Sequence, residues 1–337
     1  MRVLVTGGCG FVGHHVVEHF LKNTDWDIVV LDRLDYASMG FDRLRDINVF
    51  DEARVSVFTH DLNLPINEGL ENELGDIEVI VHMAASSHVD NSITDPVPFI
   101  QNNVNNTLYM LEYARKLTNL KKFIYFSTDE VYGTAPTGVD YREGDRFNPG
   151  NPYSASKAAA ECICMSYRNS YKMPIMITNT MNIIGERQHP EKYLPLIIKK
   201  VLTGDKLYVH GDSTKTRAGS RFYLHARNAA DALMFIINNV EEYLDNIDAD
   251  KGKFNIVGER ETDNLELAQM VADSMGMDLN YEIIDFHSSR PGHDLRYALD
   301  NRKLLELGWT YPKTLSETID STVKWSLENK KWLFPEK

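Results

Sequence analysis

A chain of 337 residues, 43% hydrophobic and 25% charged, is sized for one large globular domain or two modest ones. Its net charge of −13 argues against a grip on nucleic-acid backbone, and no apolar run is long enough to cross a bilayer. Cys9, Cys162 and Cys164 form no C-x-x-C pair, no metal-ligand spacing appears, and Met1 and Arg2 lead straight into strand-like sequence. The expectation is a cytoplasmic protein with reduced thiols, no signal peptide and no bound metal.

Residues 2–7 (RVLVTG) predict a buried strand, followed at once by GCGFVGHHVVEHFL. Gly8, Gly10 and Gly13 match G-x-G-x-x-G, and Gly7, Gly10 and Gly13 fit G-x-x-G-x-x-G equally well. Such glycines let the backbone turn tightly and approach a pyrophosphate, whose charge then faces a helix N-terminus. Phe11 and Val12 open that helix and complete the candidate cofactor loop. A second strand, DIVVLD, ends in Asp32, placed to accept from the adenosine ribose hydroxyls. A carboxylate there repels a 2′-phosphate and so favours NAD over NADP, while Arg33 is a competing partner for that phosphate.

A third strand at 55–63 ends at Asp61 and Leu62. In a doubly wound sheet this end lies near the adenine, so Asp61 either bonds the adenine amino group or caps the following turn. The apolar run at 77–85 predicts a central parallel strand ending in Ala84, Ala85 and Ser86, small enough for a cofactor to pass closely. His88 and Asp90 follow on a loop. From Asp95-Pro96 the spacing of Phe99, Ile100, Val104, Leu108, Leu111 and Ala114 predicts a helix. Its other side carries Asn102, Asn103, Asn105 and Asn106, poor helix formers. These are either a solvated polar face or a sign of contact, with Asn103 assigned to the cofactor.

The run KKFIYFSTDEVYG predicts a strand that stops at Ser127, Thr128, Asp129 and Glu130. Asn151 and Pro152 then start a helix as N-cap and first-turn proline. Tyr153 and Lys157, four apart, share one face of it. A phenol beside an ammonium is a recognisable base, because positive charge favours phenolate. Work near neutrality needs a drop of roughly three units from the tyrosine reference, about 4 kcal/mol. Strand–helix alternation makes this part a parallel α/β sheet, with ligands beyond the carboxyl ends of its strands.

TGGCGFVG, STDEVYG and YSASK together resemble the extended short-chain dehydrogenase/reductase family and, within it, the nucleotide-sugar 4,6-dehydratases. HMAASSHVDNSI, MNIIGERQHPEKYLP and RPGHDLRYALD extend the resemblance over nearly the whole chain. The resemblance implies that Tyr153 takes the proton of the sugar C4 hydroxyl while hydride leaves C4 for NAD. It implies that Lys157 lowers the tyrosine pKa and holds the nicotinamide ribose, and that Thr128 orients the C4 oxygen. Glu130 would then remove the C5 proton and Asp129 protonate the departing C6 hydroxyl. The resemblance also assigns substrate contacts to Ser127, His88, Asn182, Arg290 and His293. One segment departs from the family pattern: STKTRAGSRFYLH offers Arg217 and Arg221 in a shifted register, either of which can grip the diphosphate bidentately. Asn255, at the end of KFNIVG, is a candidate for the base or ribose.

These readings define a Rossmann-type doubly wound sheet over residues 1–180, with 222–240 returning to it. A smaller interleaved α/β lobe over 181–221 and 241–337 would bind a nucleoside-diphosphate sugar. A homodimer through helices at 96–117 and 153–171 is implied by the resemblance. The alternatives are a nucleotide-sugar 4-epimerase, which needs no acid–base pair at 129–130, and a non-catalytic NAD-binding sensor, which needs neither that pair nor Tyr153 and Lys157.

Overall fold

The structure, a computed structural model, describes residues 1–240, 252–285 and 295–335. The first half alternates strands and helices: β1 (Arg2–Thr6), α1 (Phe11–Asn23), β2 (Asp27–Asp32), α2 (Asp42–Asp46), β3 (Val55–Thr59), α3 (Glu68–Leu74) and β4 (Val79–His82). It continues with α4 (Val89–Thr94), α5 (Pro96–Ala114), β5 (Lys122–Thr128), α6 (Pro152–Tyr171), β6 (Ile175–Thr180) and β7 (Ile183–Ile184). The second half has α7 (Tyr193–Thr203), β8 (Leu207–Gly211), β9 (Ser220–Phe222), β10 (Leu224–His225), α8 (Ala226–Asn239) and β11 (Lys253–Ile256). Beyond these lie β12 (Glu261–Asp263), α9 (Asn264–Met275), β13 (Tyr281–Asp285), α10 (Arg302–Glu306) and α11 (Leu315–Glu328).

Seven strands form one parallel sheet in the order β11-β6-β5-β4-β1-β2-β3. Successive side chains on a strand point to opposite faces, so β1 sends Val3 and Val5 to one layer and Leu4 to the other. The first layer is closed by Val16, Val17 and Phe20 of α1 and Leu233 and Ile236 of α8. The second is closed by Leu74 of α3, Met110 and Leu111 of α5, and Ala160 and Cys164 of α6. Burial on both faces explains why β1, β2 and β4 read as continuous apolar runs. Chain order reverses between β1 and β4, which opens the crevice where such sheets bind ligands.

A separate cluster joins α7, β8, α9 and α11 through Ile197, Val209, Val271 and Ile319. One boundary expected from the sequence moves: β11 pairs with β6 as the edge of the large sheet, although 241–337 was assigned to the second lobe. Its burial on both faces, from Lys253 to Ile256, accounts for that placement. No helix among the described residues is long and apolar enough to cross a membrane.

Candidate active site

At the carboxyl end of β1 the backbone turns through Gly7, whose φ of +72° favours glycine. A Cβ on Gly7 would lie 3.0 Å from the Ala84 backbone, so the turn packs directly on the end of β4. A Cβ on Gly13 would lie 2.1 Å from the Gly7 carbonyl oxygen, which only glycine tolerates. The loop therefore delivers the start of α1 to the crevice with its N-cap, Gly10, offering no side-chain bond to the first helical N–H groups. Uncapped N–H groups at a helix start are an anion site, and the residues present fit a dinucleotide pyrophosphate.

Asp32 is buried at the end of β2 and accepts from the backbone N–H of Cys9 at 3.0 Å and of Leu34 at 2.8 Å, tying the glycine loop to its own strand. Burial raises its pKa, against the pull of those two bonds. Arg33 donates to Asn102 at 2.7 Å and to Asp35, and lies 3.8 Å from Asp61. Asp61 also accepts from Asn63, while Leu62 turns into the core. The asparagines of α5 are not all a solvated face. Asn102, Asn103 and Asn106 are buried, and they bond Ser86 and the Ala84 carbonyl, which fixes the end of β4.

The catalytic candidates meet at the end of β5. Thr128 donates to Asp129 Oδ1 at 2.9 Å. Asp129 is buried, and desolvation followed by the nearby Glu130 charge pushes its carboxyl up to about 7, against smaller pulls from Thr128 and Arg221. Glu130 accepts from Asn151 at 3.1 Å and from the Tyr297 hydroxyl at 3.4 Å. Asn151 also forms a capping box with Ser154 at the start of α6. That cap sets Tyr153 in the first helical turn, where its N–H donates to Ser92 at 3.2 Å.

Lys157 follows Tyr153 by one turn of α6. Lys157 donates to the Phe126 carbonyl at 2.8 Å and stands over the Tyr125 ring at 4.2 Å. Tyr153 is raised above the ordinary phenol range by burial and then by Glu130 and Asp129, against a smaller pull from Thr128. Burial also brings Lys157 down to about 8, against the opposing charge of Glu161.

The candidate substrate contacts separate. Arg221 is buried, donates to the Ser220 and Leu295 carbonyls, lies over the Tyr297 ring at 4.4 Å and acts on Asp129. Arg217 and Asn182 are exposed. His88 caps α4 by accepting from Asn91 and is 3.7 Å from Glu191. Two assignments fall. Ser127 turns inward and donates to Glu161 at 2.5 Å, because it alternates with Thr128 along the strand. Asn255 is wholly buried beside Asn179, its Nδ2 donating to the Tyr141 and Asp300 carbonyls, while its Oδ1 is buried without a partner among the described residues. Arg290 and His293 lie outside the described residues. Sequence reasoning missed Tyr297, Glu161 and Asn102, and only the asparagine run gave any local signal for the last.

Fold and site define a Rossmann-type protein of the extended short-chain dehydrogenase/reductase class. The chain belongs to the GDP-mannose 4,6-dehydratase family, whose model matches residues 4–322. It is 33% identical over 365 residues to a dTDP-glucose 4,6-dehydratase of Escherichia coli, covering 98% of this chain and 95% of that one. It is also 33% identical over 340 residues to a trifunctional UDP-glucose 4,6-dehydratase, epimerase and reductase of Arabidopsis thaliana. This chain spans about half of that longer relative: 48% of it, against 98% of the chain itself. Among solved structures, DesIV of Streptomyces venezuelae, a dTDP-glucose 4,6-dehydratase with NAD bound, superposes with a TM-score of 0.86 at 32% identity over 100% of both chains. A UDP-glucose 4-epimerase of Thermus thermophilus in complex with NAD reaches 0.82 at 28% identity, over 96% of this chain and 98% of that one.

Proposed function

We propose that the protein dehydrates a nucleoside-diphosphate hexose, dTDP-glucose, to its 4-keto-6-deoxy sugar. The observation that carries this reading is the carboxyl pair at 129–130. Asp129 is buried with its carboxyl near 7, beside Glu130 and within one strand end of Tyr153. Elimination needs one carboxyl protonated and one ionised, and adjacent, partly buried carboxyls divide their protons that way. A 4-epimerase has no use for that division.

Gly7, Gly10, Gly13 and the backbone of Phe11 and Val12, with Asp32 for the ribose, would hold NAD, which would supply a hydride acceptor and a positive charge favouring phenolate. Ala84, Ala85, Ser86 and Asn103 are the further residues that would contact it. Tyr153 takes the C4 hydroxyl proton, and Thr128 orients the C4 oxygen. With C4 a ketone, the C5 proton is acidic and Glu130 removes it. Asp129 gives its proton to the C6 oxygen, which leaves as water; the hydride removed from C4 is then returned to C6 and Glu130 gives a proton back to C5, which closes the 4-keto-6-deoxy product. Arg221, with Arg217, Asn182 and, from the sequence, Arg290 and His293 as further candidates, binds the diphosphate, and His88 is a candidate for another substrate contact. A homodimer in the cytoplasm, through α5 and α6, completes the proposal.

The test is product analysis across a panel of nucleotide sugars. The expected product is lighter by one water, carries deuterium at C5 after reaction in heavy water, and has the original C4 hydrogen at C6. A product of unchanged mass inverted at C4 would reject dehydration in favour of epimerisation.

A further inference from the structure

Behind the catalytic strand end lies an ion pair with no part in the chemistry so far. Glu161 is fully buried and follows Lys157 by one turn of α6, so Tyr153, Lys157 and Glu161 share one helix face. Its carboxylate accepts from Ser127 Oγ at 2.5 Å and from Asn179 Nδ2 at 2.7 Å, and Asn179 Nδ2 also reaches the Thr128 carbonyl at 3.2 Å. Lys253, on the edge strand β11 and just as inaccessible, faces the other carboxylate oxygen at 3.1 Å and donates to the Tyr132 hydroxyl at 3.0 Å. Lys157 meanwhile holds the Phe126 carbonyl. Three consecutive residues of β5, Phe126, Ser127 and Thr128, are thus fastened by groups that converge on one carboxylate or neighbour it on the helix.

Two charges removed from water are seldom kept for stability alone, since well-packed apolar residues often serve the fold as well. We infer that Glu161 and Lys253 are positioning residues: Lys253 holds the Glu161 side chain in place in a dry site, and that side chain sets the β5 end that presents Thr128, Asp129 and Glu130 to the substrate. Neither residue touches substrate or cofactor. The pair acts through the strand, where a displacement of about an ångström can cost a hundredfold in rate.

The inference uses the dehydratase reading for its assay, so the product of the unmodified protein is identified first. Absence of water loss there defeats that reading, and the variants are then scored on whatever turnover the protein shows. The variants are Glu161→Leu, Lys253→Leu and the two combined, each measured for Tm, NAD affinity by titration, KM and kcat. Each single change strands a buried charge and should lower Tm, and the double variant should have a higher Tm than either. Its kcat should nevertheless stay about a hundredfold below the parent, with KM and NAD affinity within about threefold. A double variant with parental kcat would show that the pair serves the fold alone. Loss of NAD affinity or KM in step with kcat would likewise overturn the inference. Should the double variant not fold, Ser127→Ala decides: kcat about tenfold lower at unchanged KM supports positioning, and parental kcat rejects it.

Discussion

At Asp129 the two carboxylate oxygens have different surroundings. Oδ1 accepts from Thr128, whereas Oδ2 is buried without a partner among the described residues. Its carboxyl near 7 lies well above the unfolded value of about 3.9. Between those values the native state holds the extra proton, so this residue's contribution to stability falls as pH rises from about 4 to 7 and stays lost above. Asp129→Asn should therefore raise Tm over the parent at pH 8 and have little effect near pH 4, a difference on the order of a few kcal/mol. The same substitution removes the acid, so dehydration should slow by ~10²–10⁴ while oxidation at C4 survives. Dehydration by the parent should decline as pH climbs past about 7, because the proton to be donated is gone. A flat rate profile from pH 6 to 9 would remove Asp129 from that role. A second residue-scale expectation concerns Arg33, whose guanidinium is engaged by Asp35 and Asn102 near Asp61. With Asp32, three carboxylates face one cation, so the adenosine end should reject a 2′-phosphate. Asp35→Asn combined with Asp61→Asn should improve NADP binding relative to NAD by about tenfold, since each 1.4 kcal/mol is one decade. An unchanged ratio in competitive titration would show that Arg33 is not restrained by them.

At the scale of elements, the glycine loop and the cap of α6 connect sequence to site most directly. Gly13→Ala places a methyl 2.1 Å from a carbonyl oxygen and must push α1 away from β1, whereas Gly10→Ala meets that oxygen at 3.0 Å. NAD affinity should collapse in the first and weaken only modestly in the second, and equal losses would mean that the clash is relieved elsewhere. Such features were legible because they are local: a turn, a cap and a spacing of four are all written within a few residues. Strand ends were harder. Ser127 and Thr128 are neighbours of similar chemistry, and which one faces the rim depends on register against β6 and α6. Asn255 read as a ligand because a polar residue closing an apolar strand usually does face the crevice, yet Tyr141 and Asp300 pack over it. Tyr297 on Glu130, and Lys253 on Glu161, join residues far apart in the chain, and no periodicity records such pairs.

For the whole molecule, the open question of chemistry is how many copies act together. Helices α5 and α6 pack against each other, and α5 leaves Val97 57% and Ile100 45% exposed, with Tyr171 uncovered at the end of α6. In a two-fold interface every surface residue occurs twice, so one substitution per chain introduces two changes into one contact. Each chain carries a net charge of −13, so like copies repel at long range. Association would then rest on apolar area and strengthen as salt screens the repulsion. The proposed dimer should therefore sediment at twice 38.5 kDa, more completely at 0.5 M than at 0.05 M salt. Val97→Asp with Ile100→Asp should return it to 38.5 kDa. At exposed positions these changes should alter the stability of the single chain by no more than about 0.5 kcal/mol each, so the variant monomer should keep its far-UV spectrum and bind NAD. A parent that sediments as a monomer at both salts, or a variant that stays dimeric, would place the contact elsewhere or remove it.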